Sequence, residues 1–201
     1  MLGLRKVAVT GGLSCGKSSV CRYFKELGAY VVSADEIVHQ LLSPKTSIGQ
    51  QVISLLGPDV IVDDRIDRRA IAKKVFNDPK LLYSLEQLIH PSVEQEIEQK
   101  YQQVKKQGNI TLFIAEIPLF FEVAKKHNFD AIITVWAKEE QCKLRFTNAT
   151  GYAEEEFNKR MTFQVSPEEK KKHADYVIDN SGSIEQMHKN VSALFTKLTT
   201  T

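Results

Sequence analysis

At 201 residues, with 42% hydrophobic and 26% charged side chains, the chain has the composition of one globular domain. A chain of this length removes roughly 70% of its unfolded surface on folding. A formal net charge of +2 excludes a nucleic-acid binder that works through overall attraction, and no apolar run approaches the ~20 residues of a membrane-spanning helix.

The elements follow in chain order. No signal-peptide apolar region is expected ahead of the first strand, Val7-Ala8-Val9-Thr10, which ends in glycines. Lys17 to Leu27 reads as a helix with Gly28 as its C-cap. Tyr30 to Ser33 is a second strand. The stretch from Asp67 to about Gln107 is helical, with Leu81, Leu85 and Leu88 at helical spacing and Pro79 and Pro91 as punctuation. It is too long for an ordinary crossover and reads as a helical insertion. Ile110 to Ala115 and Ala131 to Trp136 are a third and a fourth strand. Glu139 to Lys172 is a charged helical region with few large apolar residues, expected to project from the core. Tyr176 to Ile178 is a fifth strand, and Ile184 to about Leu198 a closing helix. Short apolar strands alternating with helices predict a doubly wound α/β domain with a parallel sheet.

Gly11-Gly12-Leu13-Ser14-Cys15-Gly16-Lys17-Ser18 fits the Walker A spacing between a strand and a helix. Glycines let the backbone curl so that successive N–H groups point at phosphate oxygens, and the helix N-terminus adds partial positive charge. Lys17 offers a point charge to the outer phosphates, and Ser18 a hydroxyl to Mg²⁺. The loop specifies a nucleotide and leaves the acceptor open. Cys15 reads either as a redox-sensitive thiol near a helix N-terminus or as a small residue that fits where serine would.

Carboxylates at strand ends come next. Asp35 follows the second strand by two residues, as a group that accepts a hydroxyl proton or as an N-cap of the helix beginning Glu36-Ile37-Val38. Glu116 follows the third strand, either holding Mg²⁺ through water or standing as a solvated turn residue. Asp179-Asn180-Ser181-Gly182 reads as a turn into the last helix. Cys15, Cys21 and Cys142 form neither a disulfide framework nor a metal-ligand pattern, so free thiols and a cytoplasmic location are expected. No obligate protein partner, nucleic acid or membrane is expected.

Together these residues resemble the dephospho-CoA kinase family over roughly residues 5 to 195. Thr10 to Ser18 is similar to that family's Thr-Gly-Gly-Ile-Gly-Ser-Gly-Lys-Ser. Ser33-Ala34-Asp35 is similar to its Asp-Ala-Asp, Arg68 to an arginine opening its acceptor helices, and Leu88-Ile89-His90-Pro91 to its His-Pro motif. Ile117-Pro118-Leu119-Phe120-Phe121-Glu122 and Asp175 to Gly182 match two further signatures. The resemblance implies a three-layer P-loop kinase fold with a parallel five-stranded sheet. The core would be residues 1–59, 108–138 and 174–201, with a helical acceptor-binding insertion over 60–107 and a helical lid over 139–173. It implies ATP and dephospho-CoA as substrates, with Mg²⁺ as cofactor.

The implied site residues follow from the same motifs. Asp35 and Lys17 would be catalytic. Gly12, Leu13, Ser14, Cys15, Gly16, Lys17, Ser18, Ser19, Arg145, Arg160 and Asn180 would bind ATP, with Asn180 near the adenine. Asp35, Arg68, His90, Pro118 and Leu119 would meet the acceptor, and Ser18 with Glu116, through water, would hold the metal. The chain departs from the pattern at Ser33, in place of an aspartate, and at Ser14, in place of a loop glycine. Ala149-Thr150-Gly151 stands where Arg-Asp-Gly is usual, which removes a lid arginine. A nucleoside or nucleotide kinase, a regulatory NTP switch and an adaptor with a vestigial loop remain alternatives on the loop alone.

Overall fold

A computed structural model of the protein describes residues 3–76, 78–123 and 128–200. In chain order the elements are β1 (Arg5–Gly11), α1 (Lys17–Glu26), β2 (Tyr30–Ser33), α2 (Ala34–Leu41), α3 (Ser47–Leu56), β3 (Ile61–Val62), β4 (Arg65–Ile66), α4 (Arg68–Val75) and α5 (Pro79–Gln107). They continue with β5 (Leu112–Glu116), α6 (Phe120–Val123), β6 (Ala131–Trp136), α7 (Glu139–Thr150), α8 (Glu154–Met161), α9 (Pro167–His173), β7 (Tyr176–Asp179) and α10 (Ile184–Thr200). The chain divides into two compact units, Met1–Ser33 with Tyr101–Thr201, and Ala34–Lys100.

The first unit holds a five-stranded sheet in the order β2-β5-β1-β6-β7, parallel throughout. Its three inner strands are apolar almost without interruption because both faces are covered. One face sends Val7, Val9, Leu112, Ile114, Ile133 and Val135 into a cluster with α1 and α10. On β5 the alternate residue Phe113 meets Tyr101, from the last turns of α5, edge to face at 5.4 Å. Helix, sheet and helix make the three layers. Two carboxylates fix where strands begin. Asp130 accepts from the backbone N–H of Lys6 at 2.7 Å, and Asp175 from that of Ile132 at 2.8 Å.

The order places β1 between strands reached in opposite directions, with β2 and β5 on one side and β6 and β7 on the other. In open α/β sheets such a reversal leaves a crevice at the carboxyl ends of the strands. The segment from Gly11 to Ser18 leaves β1 at that edge.

Residues 139–173 depart from expectation. They do not simply project from the core: Cys142, Phe146 and Phe157 are buried in the main cluster. Phe146 and Phe157 meet edge to face at 5.6 Å. The charge-rich composition hides this because the apolar residues are few but share a face. Cys142 and Phe146 are four apart on α7, one helical turn.

The second unit has its own core of Leu42, Val52, Leu56, Val60, Ile66, Ile71, Val75 and Leu85, with Leu81 and Leu88 packed against it. It starts at Ala34, ahead of the insertion boundary expected near residue 60, because α3 and the end of α2 supply part of that core. Side-chain caps begin α3, α4 and α5: Thr46 accepts from Gly49 N–H at 2.9 Å, Asp67 from Arg69 N–H at 2.7 Å, and Asp78 from Leu81 N–H at 3.0 Å. A hairpin joins β3 to β4 through Asp63 and Asp64, both at positive φ (49° and 58°). That conformation belongs to tight two-residue turns, and Asp-Asp is a weaker signal for it than Asn-Gly.

Burial of Phe157 gives a direct test of the packing of α8. Phe157→Ala is expected to cost ~3–5 kcal/mol in urea unfolding, as large aromatic truncations in cores do. Phe163→Ala, at a side chain 72% exposed, is expected to stay within about 0.5 kcal/mol. Equal small effects would contradict the packing described.

Candidate active site

β1 delivers the chain into the loop and α1 takes it out, with Gly16 as N-cap at φ 93°. The Lys17 ammonium folds back over the loop and donates to the Gly12 carbonyl at 2.8 Å and the Gly11 carbonyl at 3.3 Å. Ser14 sits at φ 55°. The position that departs from the glycine pattern does adopt the left-handed conformation, at a cost of roughly 1–2 kcal/mol for a residue with a Cβ.

Cys15 points inward. Its thiol donates to the Gly12 carbonyl at 3.0 Å and is buried. Burial pushes its pKa up, and the nearby Lys17 charge offsets this only in part. A protonated, enclosed thiol is unreactive, so Cys15 fills the space of a small residue and is no activated nucleophile.

The far end of the chain braces the loop. Asn180, just beyond β7, donates its amide Nδ2 to the Cys15 carbonyl at 2.9 Å. Arg145 of α7 donates to the Asn180 carbonyl at 2.9 Å and to the Cys15 carbonyl at 3.4 Å. A Cβ at Gly16 would lie 2.2 Å from Asn180 Nδ2, so only glycine allows this contact. Asn180 and Arg145, both expected at ATP, thus hold the loop backbone that would meet the phosphates. Arg160 pairs with Glu156 at 2.8 Å and stacks on the rings of Phe146 and Tyr152 at 5.4 and 5.3 Å.

Ser18 donates its hydroxyl to Glu116 Oε1 at 2.8 Å, and Glu116 is buried at the end of β5. The structure thus joins the two residues expected at the metal. Two hard oxygen donors suit Mg²⁺, which takes one or two protein groups and completes its shell with water and phosphate. Thr10 donates to the Pro118 carbonyl at 3.1 Å, which ties the loop after β5 to β1. Leu119 is exposed beside it, and Ser19 is half-buried on α1. A mostly apolar cavity of about 450 Å³ opens next to the loop, walled by Leu13, Trp136, Phe157, Met161 and Pro167.

Of the acceptor-side candidates, Pro118 and Leu119 belong to the first unit and Asp35, Arg68 and His90 to the second. Asp35 is exposed in the first turn of α2. That helix begins at Ala34, so Asp35 is not its N-cap. Arg68 is the exposed first residue of α4. His90 is half-buried within α5, directly before Pro91. Sequence reasoning missed a buried ion pair, Lys170 Nζ to Glu122 Oε1 at 3.0 Å. Glu122 closes the Ile117 to Glu122 motif, but Lys170 is indistinguishable in its run from Lys171 and Lys172 beside it.

Two tests follow from the loop. Asn180→Ala removes a buried hydrogen bond worth ~1–2 kcal/mol and should weaken binding of a non-hydrolysable ATP analogue about tenfold in calorimetry. Unchanged affinity would show that the brace does not shape the loop. Cys15 should react with iodoacetamide far more slowly in the folded protein at pH 8 than in urea, as peptide mass spectrometry can follow. Equal rates would contradict the inward thiol.

Comparison with known proteins agrees with this geometry. The family model described as dephospho-CoA kinase matches residues 5–186. A dephospho-CoA kinase of Protochlamydia amoebophila is 48% identical over 199 residues, covering 98% of each chain. A crystal structure of a Thermus thermophilus protein superposes with a TM-score of 0.85 at 29% identity, covering 98% of this chain and 99% of that one. The dephospho-CoA kinase of Campylobacter jejuni superposes with a TM-score of 0.72 at 27% identity, covering 97% of each. With the phosphate loop, its brace and the Ser18–Glu116 pair in place, the chain belongs to the dephospho-CoA kinase family.

Proposed function

We propose that the chain transfers the γ-phosphoryl group of ATP to the ribose 3′-hydroxyl of dephospho-CoA, giving coenzyme A and ADP, the last step of coenzyme A synthesis. The observation that carries the reading is the loop itself: intact Gly16, Lys17 and Ser18, with the Lys17 ammonium curled over the Gly12 carbonyl. Family membership over nearly the whole chain selects the acceptor.

Phosphoryl transfer depends mainly on positioning and on stabilising charge over the transferred group. In this reading the loop N–H groups and the α1 N-terminus hold the ATP phosphates. Lys17 leaves the loop carbonyls for the outer phosphate oxygens, where its charge counts most as negative charge shifts in the transition state. Ser18 and Glu116 are the residues that would hold Mg²⁺, which neutralises phosphate charge when bound. Asp35 accepts or orients the proton of the acceptor hydroxyl; its exposed position in the first turn of α2 leaves the carboxylate available. Arg68, His90, Pro118 and Leu119 serve the acceptor. Arg145 and Arg160 serve ATP, Arg160 after leaving Glu156. Exclusion of water by the helices over 139–173 would protect the transfer from hydrolysis. Free Cys15, Cys21 and Cys142 support a reducing, cytoplasmic setting.

Asp35→Asn is expected to lower kcat by roughly 10²–10⁴, the share of a general base, with ATP binding little changed. Near-normal turnover would remove Asp35 from the chemistry. Lys17→Ala should cost about 10²–10³ in kcat through lost charge stabilisation. A coupled ADP-release assay checks both variants, and the same assay on a nucleoside panel checks the acceptor. Nucleosides turning over faster than dephospho-CoA would overturn the assignment.

A further inference from the structure

The Pro118 carbonyl accepts two hydrogen bonds from different parts of the fold. One comes from Thr10, the residue before Gly11, at 3.1 Å, and the other from Lys170 Nζ on α9 at 3.3 Å. The Lys170 ammonium is also 3.0 Å from Glu122 Oε1 on α6, and its side chain is fully buried. Glu122 Oε1 in turn accepts from the Val165 N–H at 2.9 Å, two residues ahead of α9. The Lys170 carbonyl accepts from Thr134 on β6 at 3.2 Å. One lysine therefore links β6, α9, α6 and the loop after β5.

A buried ion pair is a weak source of stability. Taking an ammonium out of water costs several kcal/mol, and an apolar replacement of a buried ion pair is often neutral or better for stability. Burial pushes the Lys170 pKa down, Glu122 works against that shift, and the Lys17 charge adds to it. Lys170 thus lies within electrostatic reach of the lysine that meets phosphate. The Pro118 carbonyl, its anchor, lies two residues from Glu116 on the chain, and Glu116 receives the Ser18 hydroxyl. A displaced Pro118 would carry Glu116 with it, and misplacement by about 1 Å can cost 10²-fold in rate.

We infer that Lys170, with Glu122, is a positioning residue for phosphoryl transfer, pinning the loop after β5 so that Glu116 stays in register with Ser18. The inference rests on the kinase reading above. The test compares Lys170→Met with the double variant Lys170→Met/Glu122→Gln, which removes both charges and keeps an acceptor for the Val165 N–H. Rates are taken relative to the unsubstituted chain on whichever acceptor it phosphorylates best, so an error in the acceptor is seen separately.

Lys170→Met leaves a buried carboxylate unpaired and should lower both the melting temperature and kcat. In the double variant the melting temperature should recover to within about 4 °C of the parent. Its kcat should stay at least about tenfold down, with KM for ATP changed less than about threefold. A kcat that recovers together with the melting temperature would overturn the inference and leave the pair a packing feature. If neither variant accumulates as folded protein, Thr10→Val decides. It removes the other donor to Pro118, and a kcat at least about threefold lower at unchanged melting temperature supports the inference. An unchanged kcat in that variant overturns it.

Discussion

The carbonyl oxygen of Cys15 takes hydrogen bonds from Asn180 and Arg145, and the shape of the phosphate loop depends on them. A loop that turns its N–H groups toward a ligand turns carbonyls away from it, and those carbonyls need donors behind. Asn180 and Arg145 are those donors at Cys15; the Cys15 thiol and the Lys17 ammonium serve Gly12. This constraint explains why a glycine must stand at position 16, where a Cβ would displace the Asn180 amide. It also makes a residue after the last strand part of a loop near the start of the chain.

The charges around the loop are arranged by the same sheet. β1 carries the loop, β5 carries Glu116 to the Ser18 hydroxyl, and β6 holds the helix bearing Lys170 through Thr134. Three neighbouring parallel strands therefore fix two lysines and two carboxylates with few degrees of freedom. Such preorganisation is the means by which a phosphotransferase works, because the transferred group needs fixed charge more than covalent help.

Much of this was legible in the sequence where local chemistry is distinctive. The phosphate loop declares itself through glycines, lysine and serine between a strand and a helix. Ser14 marked a question about backbone conformation that its φ of 55° answers. The strands were visible as apolar runs because both sheet faces are covered. Other features depend on tertiary packing and leave little local trace. Lys170 is buried while the adjacent Lys171 and Lys172 are paired at the surface, and nothing in a run of three lysines separates them. Phe146 and Phe157 were hidden by charged neighbours on the opposite faces of their helices. The Asn180 side chain meets a backbone carbonyl that only the fold brings near, a contact with no local trace.

The phosphate held by this loop passes to the hydroxyl of a specific small-molecule acceptor. Phosphorus NMR of the protein with ATP, Mg²⁺ and dephospho-CoA reads that transfer directly. A new phosphomonoester resonance should appear on the coenzyme A product, growing in step with ADP and absent when dephospho-CoA is omitted. Release of inorganic phosphate alone, at a rate indifferent to dephospho-CoA, would contradict the transfer.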